Sequence, residues 1–158
     1  MATDRQSTGL AILRVCIGVF FLFEGIGKFG WLMNASPLAG ILNAWKAAAP
    51  SGSVSAWYLQ HIAMPGVAVF ARLVVLGELA TGIALILGFR TRAFAFIGFF
   101  MALNYQTASG AIFKYSFLTS GYGLPVLGST LALALGGTRL PWSIRDGTPA
   151  RATQARRN

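Results

Sequence analysis

Four apolar blocks, each close to the length needed to cross a bilayer, constrain what this chain can fold into. They run over residues 9–29, 65–87, 91–108 and 120–135. A hydrocarbon core of about 30 Å takes about 20 helical residues at ~1.5 Å each. In that medium the backbone must satisfy its own hydrogen bonds, which a helix does within one segment. The chain is 55% hydrophobic and 11% charged, where a soluble domain carries about 25% charged residues. The expected fold is all-α: an integral membrane four-helix bundle forming one domain over 1–147, with a basic flexible tail over 148–158. No separate soluble enzyme domain fits within 158 residues beside such a bundle.

Turn chemistry orders the blocks. Gly88 is a natural helix stop, and the link to the third block is a few residues, so the second and third spans are expected as antiparallel neighbours. Pro65 suits a first helical turn, whereas Pro125 is expected to kink the fourth span. The polar residues 1–8 lead into an apolar run too long and too charged for the core of a cleavable signal. The connection 30–64 is long and carries Trp31, Trp45, Trp57 and Tyr58, residue types that favour the membrane–water interface. Within it, Leu38, Ile41, Leu42 and Trp45 recur at helical spacing, which predicts a short interfacial helix over 37–49 in the outer loop between the first two spans.

Arg5, Arg90, Arg92, Arg139, Arg145, Arg151, Arg156 and Arg157 fall on one side of this topology. Lys28, Lys46 and Lys114 fall on the other. The positive-inside rule then places both termini in the cytoplasm of a multi-pass inner-membrane protein. The formal net charge of +9 is accounted for by lipid headgroups and topology rather than by nucleic acid. The lone cysteine, Cys16, excludes an intrachain disulfide and a dithiol pair. His61 is the only histidine, so two histidine ligands to a haem are excluded within the chain. The ligand sets for zinc or a two-metal centre are missing, as is a phosphate-binding glycine loop. No intrinsic cofactor, metal site or catalytic residue is assigned.

The chain has four acidic residues, and two of them, Glu24 and Glu78, lie inside apolar blocks. An ionised group there costs at least ~2.5–3.5 kcal/mol and persists when it is paired or functional. Placing each residue by its distance from the centre of its span puts Glu24 and Arg72 at one level in the outer half. Asn104, Gln106 and Tyr122 fall at similar height. Lys28 shares a helix face with Glu24. Glu78 falls near mid-membrane, and Arg14, nearer the cytoplasm, can reach Glu78 or the inner headgroups. The cluster Glu24, Lys28, Arg72, Glu78, Asn104 and Arg14 has two readings. One is a Glu24–Arg72 ion pair that fixes helix register; the other is a site for a quinone headgroup, a small anion or a proton path. Gly128, Ala132 and Gly136 form a small-residue stripe expected to pack within the bundle, the alternative being a docking face for another subunit. Phe94, Phe96, Phe99 and Phe100 nearly encircle the third span, so some of them must face lipid or another subunit.

The order of these residues resembles the DoxX/DoxD family of small four-helix membrane proteins. Arg14, Gly18, Gly25 and Lys28 look like its first-span pattern. The stretch 77–88, Gly-Glu-Leu-Ala-Thr-Gly-Ile-Ala-Leu-Ile-Leu-Gly, is similar to its second-span signature, with Arg90-Thr91-Arg92 as its basic turn. Asn104-Tyr105 resembles the asparagine–aromatic pair of the DoxD-like branch. The resemblance implies a membrane subunit associated with oxidoreductases, one named activity being that of a thiosulfate:quinone oxidoreductase small subunit. It points to bound quinone and to partner membrane subunits. The alternative is a non-catalytic accessory subunit of a larger respiratory or photosynthetic complex.

Overall fold

The structure, a computed structural model, describes residues 2–112 and 114–144. Its elements are α1 (Ala2–Gly27), a 3₁₀ turn (Phe29–Leu32), α2 (Ser36–Ala48), α3 (Val54–Tyr58), a wide π turn (Leu59–Ala63), α4 (Val67–Leu87), α5 (Thr91–Ala108), α6 (Tyr115–Thr119) and α7 (Leu124–Gly136). No strand occurs among the described residues. The tail expected over 148–158 lies outside them. Two segments, Arg5–Gly27 and Val67–Leu87, are long and apolar enough to cross a membrane, and Leu124–Gly136 is a shorter apolar helix.

Local chemistry explains most boundaries. Gly88 ends α4 in the left-handed region at φ 72°, where its N–H reaches the carbonyls of Ala84 and Leu85; a Cβ is disfavoured at that φ. Pro65 falls in the turn before α4 rather than in its first turn. Pro125 does not kink a helix. It lies in the first turn of α7, where its missing N–H has no intrahelical partner to lose, so the fourth helix starts later than its apolar block. The loop helix forms over Ser36–Ala48 with Leu38 and Leu42 buried.

The register of the long helices can be read from side chains that meet. Along α1, Gly18, Leu22 and Gly25 lie against Ile86, Gly82 and Leu79 of α4, so the two run antiparallel. Thr81 and Gly77 of α4 meet Gly98 and Met101 of α5, again antiparallel. Arg92 Nε donates to the Ala134 carbonyl at 2.9 Å and Gln106 Nε2 to the Tyr122 carbonyl at 2.8 Å, which ties α5 to α7 and the turn before it. Helix α7 also packs on α1, so the four close into a ring of contacts.

Glycine sets how near α1 and α4 come. A Cβ built on Gly18 would lie 2.8 Å from the Ile86 backbone nitrogen, and one on Gly82 would lie 2.5 Å from the Leu22 nitrogen. The helices therefore touch backbone to backbone, and their offset is fixed. Because Gly25 lies against Leu79, about a dozen residues of α4, roughly 18 Å at 1.5 Å per residue, project past the end of α1. The 3₁₀ turn and α2 pack against α4 there. Two cores result. Ala11, Ile17, Phe21, Leu85, Ala95, Val126 and Leu133 fill the space among the four helices. Leu38, Leu42, Leu59, Ala63, Ala71 and Ala108 fill the space beneath the connection.

The stripe Gly128, Ala132 and Gly136 is exposed, and a Cβ on Gly128 would meet nothing within 4 Å. It is therefore not the continuous helix contact expected from its spacing, and only its Gly136 end lies near another helix, at Leu10 of α1. Phe96 and Phe100 are exposed, at 45% and 54%, while Phe94 and Phe99 are half-buried.

Gly82→Leu should lower the unfolding free energy of the detergent-solubilised protein by at least ~1–3 kcal/mol, the usual range for overpacking, because backbone cannot yield as a side chain does. Gly128→Ala, by contrast, should be neutral or stabilising by up to ~1 kcal/mol. Thermal melts of the two variants decide the matter, and equal melting temperatures would contradict the contact.

Candidate functional site

Lys28 follows the last turn of α1 and joins two helices. Its Nζ donates to Glu24 Oε2 at 2.7 Å and to both carboxylate oxygens of Glu78, at 2.8 and 3.0 Å. The Glu24 pairing follows from i, i+4 spacing on one helix face. The Glu78 pairing follows from the glycine contact, which brings the Leu79 turn of α4 level with Gly25. The two ion pairs at Lys28 are the ones present among the described residues. The Tyr122 hydroxyl, in the turn before α7, donates to Glu24 Oε1 at 3.2 Å. The Trp31 ring lies 6.0 Å from the ammonium, within cation–π range.

The expected Glu24–Arg72 pair does not form. Arg72 is exposed, and its Nη1 donates to the Ala68 carbonyl one turn back at 2.7 Å. Equal depth was inferred by aligning span centres, whereas the real register is offset. Glu78 takes the level assigned to Arg72, and Arg72 sits more than a turn further out on the projecting part of α4.

Arg14 lies elsewhere. It is fully buried, beside Gly88 at the far end of α4. It donates to the Ser143 hydroxyl and, at 2.9 Å, to the Trp142 carbonyl. It therefore reaches neither Glu78 nor an acidic partner among the described residues. The chain after α7 folds back over it, with Leu140 buried and the Ile144 N–H on the Leu87 carbonyl.

Asn104 does join Glu24, Lys28 and Glu78. All four line one cavity of about 600 Å³ between the two cores, within the ~300–1,000 Å³ typical of small-molecule sites. Helix α2 lies over it, presenting Leu38, Ile41, Leu42 and Trp45, while α1, α4 and α5 supply the walls. Trp45 meets Tyr105 edge to face at 4.9 Å. Asn104 Nδ2 donates to the Tyr58 hydroxyl at 2.6 Å. That hydroxyl keeps its own hydrogen for another acceptor, and the Asn104 amide keeps a second N–H. The cavity therefore pairs a carboxylate-rich cluster with an amide–phenol donor pair inside largely aromatic and aliphatic walls.

Tyr58 and Tyr122 were not among the expected site residues. Tyr58 stood out only as an interfacial aromatic, and Tyr122 only by its height. Tyr58 ends the short helix α3 and Tyr122 lies in the turn before α7, so elements outside the spans position both. His61, exposed, donates from Nδ1 to the Trp57 carbonyl and stacks on the Trp57 ring outside this cavity. Among the described residues no group of three or more potential metal ligands occurs.

A model of the DoxX family matches residues 9–110. The chain belongs to the DoxX family. Membership and the two bilayer-length helices make it a membrane protein. No curated protein and no solved structure shows a significant match. The matched segment of this DoxX protein contains Glu24, Lys28, Glu78 and Asn104, and it ends before Tyr122.

Lys28→Met strands two carboxylates at the cavity wall. Removing one partner of a buried pair costs ~3–5 kcal/mol; the Lys28 side chain is 20% exposed, so a loss near ~3 kcal/mol is expected. Adding Glu78→Gln to that variant should recover part of the loss. Arg72→Met should change stability by less than ~0.5 kcal/mol, as exposed substitutions do. Denaturant titration of the four proteins checks the ordering, and an Arg72 variant as damaged as the Lys28 variant would contradict the pairing.

Proposed function

We propose that this protein is a multi-pass inner-membrane subunit of an oxidoreductase complex and that its cavity holds a quinone headgroup. In this reading α1, α4, α5 and α7 cross the membrane as a four-helix bundle, and α2 lies at the outer interface as its cap. The arginines Arg5, Arg90, Arg92 and Arg139 lie at the end where α1 begins and α4 turns into α5, and Lys28, Lys46 and Lys114 lie at the other. The positive-inside rule then sets both termini in the cytoplasm, with the Lys28 end outermost.

The observation that carries the ligand reading is the pairing of donors with charge in one cavity. Tyr58 and Asn104 offer hydrogens at the wall, which suits a carbonyl oxygen. The Lys28 ammonium holds a proton beside it, and the Glu24 and Glu78 carboxylates can accept one. With both carboxylates ionised this cluster carries one excess negative charge, and the three N–H donors of Lys28 are already engaged. A small anion is therefore opposed by the cluster, whereas a neutral carbonyl-bearing ring in aromatic walls is not. The electrons belong to the partner oxidoreductase.

A second reading, a non-catalytic accessory subunit of a respiratory or photosynthetic complex, is favoured by the exposed Gly128–Ala132–Gly136 face of α7. Such a face allows close approach of another helix. A lone monomer on purification in mild detergent would count against this reading, and saturable quinone binding separates the first reading from it.

Ubiquinone with a single isoprene unit should quench the fluorescence of Trp31 and Trp45, which line the cavity. Asn104→Leu and Tyr58→Phe should each weaken its binding by up to about tenfold, the ~1.4 kcal/mol expected of a lost hydrogen bond. Arg72→Ala should bind as the unaltered protein does. Absence of saturable quenching, or unchanged affinity in both site variants, would sink the assignment.

A further inference from the structure

The cavity has a second end, away from the charges. We infer that a slot between α4 and α5 passes a long apolar tail from the cavity into the bilayer, so that the site takes a lipid-dissolved amphiphile with a polyisoprenoid or similar tail. This rests on the quinone reading and adds the tail, its path and the side of delivery.

Four lining residues mark the slot. Leu73 of α4 and Phe96, Ile97 and Phe100 of α5 all line the cavity, yet they are 58%, 45%, 45% and 54% exposed. A side chain that closes a cavity is buried, as Phe21 and Val126 are at 3% and 5%. Residues that line the cavity and also stand open to the outside mark its openings. Asn104, Tyr105 and Tyr122 do so at the polar end, whereas the opening marked by these four is wholly apolar and lies on the flank that α4 and α5 share.

The two ends of the cavity differ as the two ends of an amphiphile do. Glu24, Lys28, Glu78 and Asn104 gather toward the Lys28 end. Phe96 and Ile97 lie about two turns of α5 from Asn104, roughly 10–12 Å at 1.5 Å per residue. A head held by Asn104 and Tyr58 therefore points its tail along α5, toward the middle of the span, where hydrocarbon is the surrounding medium in the membrane orientation above.

Between head and mouth the helices meet at a yielding contact. A Cβ on Gly77 would lie 2.9 Å from Met101 Sδ, so an unbranched thioether packs on a bare backbone. Methionine has rotatable bonds enough to swing aside. Less than a turn along α5 toward the basic end, Gly98 meets Phe21 and Thr81.

The test uses the full chain in phosphatidylcholine vesicles and a ubiquinone with a diazirine at the end of a long isoprenoid tail, with adducts mapped by mass spectrometry. Saturable adducts are expected on Leu73, Phe96, Ile97 or Phe100, and they should be displaced by unlabelled long-tailed ubiquinone. The double substitution Leu73→Trp with Ile97→Trp, at exposed positions that tolerate bulk, should cut labelling at least fivefold. Adducts on α2 or α3 would overturn the slot. So would equal, non-displaceable labelling of Val69 and Ile83, exposed residues of α4 outside the cavity, which is what contact with bulk lipid or a slot covered by another subunit's helix gives. Binding of the single-isoprene quinone, measured alongside by quenching, separates the failures. If that probe binds while the tail labels elsewhere, only the slot falls; if neither binds, the quinone reading falls with it.

Discussion

The contact of Gly18 with Gly82 governs the rest of this molecule. Two helices that touch backbone to backbone cannot slide, because any shift drives a side chain into a peptide plane, and packed interiors do not absorb such overlap. That fixed offset has three consequences. Glu78 comes level with Glu24, so one lysine can serve both. Arg72 is carried past the cluster to an exposed position. The first dozen residues of α4 have no α1 to pack on, and their apolar surface must be covered by something else. The long connection between α1 and α4, with its short helices and its own small core, meets that need.

The cavity follows from the same offset. A connection of short helices joined by 3₁₀ and π turns does not pack as continuously as one more long helix would. The space left beneath α2 is lined by aromatic and aliphatic side chains. The opposite end is filled: Arg14 is sealed beneath the returning chain, and Leu140 enters the main core. The end carrying Lys28 is thus the one where shape can change at small cost, since fewer buried contacts tie the cap down than tie the four long helices together.

Much of the fold was legible in the sequence because membrane-like segments announce themselves by length. The third helix matches its apolar block over Thr91–Ala108, and Gly88 ends the second where expected. Leu38 and Leu42 are buried on the loop helix that their spacing predicted. The errors have one physical source. Depth was inferred from the middle of each apolar block, but block length measures hydrophobicity, and packing sets register. Glu24 was therefore matched with Arg72, while the residues that could have corrected the estimate, Gly18, Gly25 and Gly82, were visible only as a family pattern. Pro125 was misplaced for a related reason, since an apolar turn before a helix reads like the helix itself. Tyr58 and Tyr122 are hidden because a helix of 5 residues and a turn, which place them, are too short to show a period.

The charge balance of the cluster connects these points to chemistry. One lysine between two glutamates is a poor device for holding helices together. A single pair would fix the same register without leaving a second carboxylate in an apolar setting, and hydrophobic replacements of buried ion pairs are often as stable or more so. The excess carboxylate becomes sensible if the site must exchange a proton while remaining closed to small anions. Tyr122 supports this, because it links Glu24 to an exposed hydroxyl, so exposure rises from Glu78 through Lys28 and Glu24 to Tyr122. A chain of hydrogen-bonded groups that grades from buried to exposed gives a proton a route without giving water one. Register alone would not require that gradient, and a ligand that changes its protonation inside the cavity would.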